Sequence, residues 1–188
     1  MDAFTYLSVP ISIILGLAIT ELLLRVARII QCRARTRFYW PPLIWVLLAL
    51  ITAVQSWWAL FGLKAFEGWN FFNFLIVLVH PIAFFLMTSF ILPDREEFSL
   101  GEVDLERHYF AHFRWFYAAL ILTITASLLR PIVLFGRFSL NLDVGIQAFL
   151  FVVAGVALCV RAKWFHQLAT VTFLATIAAY IGLLYINL

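Results

Sequence analysis

His80 is a titratable side chain inside an otherwise apolar run, LIVLVHPIAFFLM, with a proline directly after it. An imidazole can hydrogen-bond, carry a proton or ligate a metal, and at membrane depth each of these needs polar company. Four more polar residues, Gln55, Thr123, Gln147 and Thr176, sit at comparable levels in other apolar stretches. Counted at 1.5 Å per residue along helices, all five lie roughly 9–15 Å below one face of a bilayer. Thr52 and Ser56 neighbour Gln55 on a helical face, and Ser127 follows Thr123 by one turn. Polar groups at such depth are costly unless they face a bundle interior, pair with one another or line a wet cavity. One reading is a solvated cavity centred on His80. The other is interhelical hydrogen bonding that ties the bundle together, at about 0.6 kcal/mol per contact. Pro81 predicts a local break in its helix and Pro131 a kink near the outer mouth, where Arg130 either attracts anions or snorkels to the surface.

Other constellations are weaker. Glu21 and Arg25 stand four residues apart, which predicts an ion pair on one helix face, either interfacial or part of an inner gate. Ser8, Ser12, Gly16 and Thr20 recur at every fourth position, a small-residue packing stripe that lets a neighbouring helix of the same chain or of a second subunit approach closely. Asp104, His108 and His112 share the four-residue spacing and are weak candidates for Zn²⁺ or Fe²⁺, with His166 at a similar depth. No Cys accompanies them, HExxH is absent, and acidic residues at a helix start already have a dipole explanation, so no metal site is assigned. His80 lacks an opposed histidine for haem. No P-loop, GxSxG or dinucleotide fingerprint occurs, and carboxylates are almost absent from the apolar stretches. The expectation is no cofactor and no enzyme. A lipid-directed activity at Glu106, His108, His112 and His166 is a third option. Cys32 and Cys159 are expected to stay reduced.

The elements that must position these residues follow from composition. Of the 188 residues, 65% are hydrophobic and 12% charged, against roughly 45–50% and about 25% in soluble domains. Apolar stretches cover about 4–27, 41–63, 71–92, 110–135, 142–160 and 164–186. Each suffices to cross about 30 Å of hydrocarbon as a helix, and their continuous apolarity excludes an alternating β-barrel. The fold class is all-α: a polytopic transmembrane bundle of six spans in one integral-membrane domain. The first stretch reads as a retained span and not as a cleaved signal, because no basic leader or small-residue site accompanies it.

Charge sets the orientation. With both termini outside, the inner side carries Arg25, Arg28, Arg33, Arg35, Arg37, Arg95, Arg107, Arg114, Arg161 and Lys163, and the outer side only Lys64, Arg130 and Arg137. Ten against three follows the positive-inside rule. The net charge of +3 therefore reflects topology and implies no nucleic-acid partner. Three tetrads of one cation and three rings mark the inner ends of the even-numbered spans: Arg37-Phe38-Tyr39-Trp40, Arg114-Trp115-Phe116-Tyr117 and Lys163-Trp164-Phe165-His166. They read as a headgroup-level aromatic belt or as the trace of three related hairpins.

The strings SVPISIILGLAITELL, FYWPPLIWVLLALITAVQSWW and HYFAHFRWFYAAL resemble a family of small, uncharacterised six-span bacterial membrane proteins. That resemblance implies a multi-pass protein of the bacterial cytoplasmic (inner) membrane and brings no substrate or catalytic residue. Two function classes remain. One is an oligomeric channel or transporter for an ion or small solute, with the polar layer as its pathway. The other is a non-catalytic membrane subunit, scaffold or sensor that works through a protein partner, by the acidic third connector or the Ser8–Thr20 stripe.

Overall fold

The computed structural model describes residues 3–99, 101–136 and 141–184. Six helices are long and apolar enough to span a membrane: α1 (Ala3–Gln31), α2 (Trp40–Leu60, extended by a 3₁₀ turn to Leu63), α3 (Phe71–Ser89), α5 (Leu105–Phe135), α6 (Leu142–Cys159) and α7 (Lys163–Leu184). A five-residue helix, α4 (Arg95–Ser99), lies in the third connector. The protein is a multi-pass integral membrane protein of all-α class.

Local chemistry fixes the ends. Asn70, Asp104 and Asn141 cap α3, α5 and α6 by accepting backbone N–H bonds from Asn73, from Glu106 and Arg107, and from Val144. Pro41 and Pro42 open α2, where the missing N–H costs nothing. Gly136, at φ 60°, closes α5 with a left-handed cap bonded to Ile132. Because of the Asp104 cap, α5 starts at Leu105 and not at the expected 110. α3 ends at Ser89 and not at 92, and Arg25 occupies the carbonyls of Ser89 and Leu92 beyond it. Positions 185 and 186 of the expected sixth span, and Arg137, lie outside the described residues.

The expected break at Pro81 does not occur, nor does Pro131 interrupt its helix: α3 and α5 run continuously through both. A proline removes one ladder bond, and neighbouring helices hold the rest of the turn in place. Pro81 is buried among them.

The spans pack as a closed ring in the order α1, α3, α5, α6, α7, α2 and back to α1. The side chains buried between them are mostly apolar, with Leu22, Leu48, Phe84, Phe116, Tyr117 and Phe173 among those fully enclosed. Outward faces are also apolar, as at Val54, Trp57, Phe72, Leu129 and Val152, so hydrocarbon is the solvent that fits them. At the end opposite the termini, the first and third connectors meet in a two-residue parallel pairing of β1 (Thr36–Arg37) with β2 (Val103–Asp104). Arg37 and Asp104 add an exposed ion pair at 3.3 Å.

Candidate functional site

Five of the six spans enclose a cavity of about 270 Å³ in the half of the bundle that carries the termini. α2 contributes Thr52, Gln55 and Ser56, α3 contributes His80, and α5 contributes Thr123, Ser127 and Arg130. α6 adds Asp143 and Gln147, and α7 adds Tyr180. α1 lines none of it. Gln55, His80, Thr123 and Gln147 thus share one chamber, as their depth implies. Thr176 is half-buried and is not on the wall; α7 presents Phe173, Ile177 and Tyr180 instead.

Asp143 organises the α6–α7 wall. Its carboxylate accepts from Gln147 Nε2 at 2.9 Å and from the Tyr180 hydroxyl at 2.9 Å. A carboxylate can only accept, so the Gln147 amide nitrogen must face it, which turns Gln147 Oε1 away as an acceptor. That oxygen is buried without a protein partner, and so is Gln55 Nε2. Thr123 bonds back to its own helix at Ala119, so its hydroxyl proton is already committed. Among the described residues His80 and Arg130 make no hydrogen bond, and Arg130 has no carboxylate within 4.0 Å. Sequence reasoning missed Asp143 and Tyr180. The Asp143–Gln147 spacing of four was the available signal; Tyr180 offered none.

Towards the other end the chamber meets packed rings. Trp45 lies 4.7 Å from Phe116 and 4.8 Å from Phe173, centroid to centroid, and the first and last of these also line the cavity. Beyond them Tyr109 forms a hub. Its hydroxyl lies 3.2 Å from that of Tyr117 and 3.1 Å from His166 Nδ1, and its ring packs 5.9 Å from Tyr39. His166 Nε2 donates to the Val160 carbonyl at 2.8 Å. Each cation-ring tetrad therefore sends one polar ring inward to Tyr109, while Phe38, Trp115 and Trp164, the first ring of each, remain 70%, 66% and 67% exposed. Burial, with the Glu106 carboxylate nearby, pushes the Tyr39 phenol up to about 12.

The remaining candidates have local partners. Arg25 Nε donates to Glu21 at 2.9 Å, and Arg25 Nη1 donates to the carbonyls of Ser89, at 3.0 Å, and Leu92. The pair thereby ties α1 to the end of α3. Along α1 the face packed into the bundle is Ile11, Leu15, Ala18 and Leu22. Ser8 and Ser12 are half-buried while Gly16 and Thr20 are exposed, and the space around Gly16 is open. Asp104 is used as a cap and by Arg37, His108 Nδ1 lies 2.8 Å from Glu97, and His112 Nδ1 faces its own helix. Among the described residues no three His, Cys, Asp or Glu side chains are grouped to hold a metal ion. Cys32 and Cys159 are free.

Comparison of this chain with protein-family models, curated proteins and solved structures gives no match to any of them.

Proposed function

We propose that this membrane protein moves a small polar solute or ion across a bacterial cytoplasmic membrane, with the His80 cavity as the binding chamber and both termini on the outer face. The carrying observation is the chamber itself: polar side chains from five helices converge on about 270 Å³, close to the lower end of ordinary ligand pockets at about 300 Å³. Charged and polar side chains on its wall, His80, Arg130 and Asp143 among them, favour a wet or liganded chamber over a dry one. A chamber that ends on packed rings fits a carrier held open to one side better than a continuous pore. The bias of Lys and Arg supports the orientation.

Single cysteines test this reading. In a background with Cys32→Ser and Cys159→Ala, Ser56→Cys and Ser127→Cys should react with a membrane-impermeant thiol reagent added from the outer side of intact cells. A buried control, Ala157→Cys, should not react. Absence of labelling at both chamber positions from either side overturns the chamber.

A second reading, a subunit that works through another polypeptide or through copies of itself, has the exposed Gly16 and Thr20 of α1 in its favour. In the same background Gly16→Cys should then cross-link in native membranes, and failure to do so removes this support.

A further inference from the structure

The charges on the chamber wall point to a class of ligand. We propose that the cavity takes a small zwitterion, a molecule of net charge zero with an anionic oxygen group at one end and a protonated amine at the other. This rests on the chamber reading above. Two lining residues carry formal charge, Arg130 and Asp143, so the wall sums to zero with His80 neutral. No ion pair within 4.0 Å joins the two among the described residues. A monoanion would gain Arg130 but meet Asp143 across the same low-dielectric space, and a monocation would meet the reverse. A ligand carrying both charges satisfies both walls.

The hydrogen-bonding sense agrees with the charges. At the α6–α7 wall, Tyr180 and Gln147 each use a donor on Asp143, and two of the four acceptor sites of the carboxylate remain. This wall therefore accepts, which suits an ammonium group. Arg130 on α5 only donates, in a fork matched to carboxylate or phosphate oxygens. The volume, equivalent to about nine waters at about 30 Å³ each, suits a free amino acid or the polar head of a zwitterionic lipid.

The test uses the full-length protein purified in detergent, with ligand-induced thermal stabilisation and calorimetric titration as readouts. The probes are glycine, leucine, 4-methylpentanoate (leucine without its amine), 3-methylbutylamine (leucine without its carboxylate) and glycerophosphoethanolamine, a phosphodiester of net charge zero. The expected result is binding of at least one zwitterion, with the two singly charged analogues weaker by about tenfold or more. Arg130→Gln and Asp143→Asn should each weaken the zwitterion by a similar factor, and Arg130→Lys should recover part of the loss. Glycerophosphoethanolamine binding in preference to the amino acids assigns the site to a lipid head; the reverse order assigns it to a free solute. The proposal is overturned if 4-methylpentanoate matches leucine and Asp143→Asn changes nothing, if 3-methylbutylamine matches it and Arg130→Gln changes nothing, or if no probe binds. Labelling of Ser56→Cys in the last case leaves the chamber intact and removes only the ligand class; no labelling removes both.

Discussion

Replacing Tyr109 by Phe removes one oxygen from the centre of a directed chain. The Val160 carbonyl only accepts, so His166 Nε2, 2.8 Å away, carries the hydrogen. His166 is fully buried and bonded to no carboxylate, and the neutral imidazole is the species that can be buried there, with Nδ1 bare. Tyr109 must then donate to Nδ1 and accept from Tyr117. Y109F keeps the ring volume but leaves the Tyr117 hydroxyl and His166 Nδ1 both buried and unpaired. At about 1–3 kcal/mol for each orphaned group, the loss is about 2 kcal/mol or more. Y117F removes only the terminal donor and leaves Tyr109 bonded to His166, for about 0.5–1.5 kcal/mol. The double variant removes the Tyr117 orphan as well, so it should be more stable than Y109F alone by about 1 kcal/mol. Equilibrium unfolding in mixed maltoside and dodecyl sulfate micelles, followed by tryptophan fluorescence, measures all three. If Y117F costs as much as Y109F, or the two losses add in the double variant, the chain does not run in this direction.

Two further outcomes follow from named contacts. Arg25→Ala leaves the carbonyls of Ser89 and Leu92 without their charged donor and should cost about 2–3 kcal/mol in the same unfolding assay, more than Glu21→Ala, whose side chain is partly exposed. For Tyr39 the folded phenol titrates near 12 against an ordinary 10.0, so folding favours the protonated form. Its contribution is present in full below pH 10 and is lost as pH rises through 12; Tyr39→Phe should flatten that part of the stability profile, and an unchanged slope would remove Tyr39 as its source.

The six spans were legible because hydrocarbon demands continuous apolarity, which a single chain displays without its neighbours. Counting residues along the spans set Gln55, His80, Thr123 and Gln147 in one layer, and all four line one chamber. Azimuth was not legible. Successive residues on a helix diverge by about 100°, and Thr176, beside the wall residue Ile177, is not on the chamber wall. The same limit hid the Ile11, Leu15, Ala18 and Leu22 face of α1 behind the small-residue stripe, since both have helical spacing. Pairings between distant segments left only partial marks. The basic first connector and the acidic third are oppositely charged, yet nothing local says that Thr36 and Val103 share a ladder. The tetrads were visible as a repeated string, whereas their convergence on Tyr109 depends on how α2, α5 and α7 pack.

The hydrogen bonds that tie α1 to another span all come from Arg25, near its basic end; among the described residues none joins its first twenty positions to a neighbouring helix. Anchored at one end and held only by side-chain packing along the rest, α1 is a lever. From Arg25 to Phe4 the arm is about 31 Å at 1.5 Å per residue, so a tilt of about 5° carries the far tip about 3 Å while the fulcrum stays still. Since α1 rests on both α2 and α3 and its described hydrogen bonds to them all sit at the fulcrum, that swing would exchange side-chain packing alone.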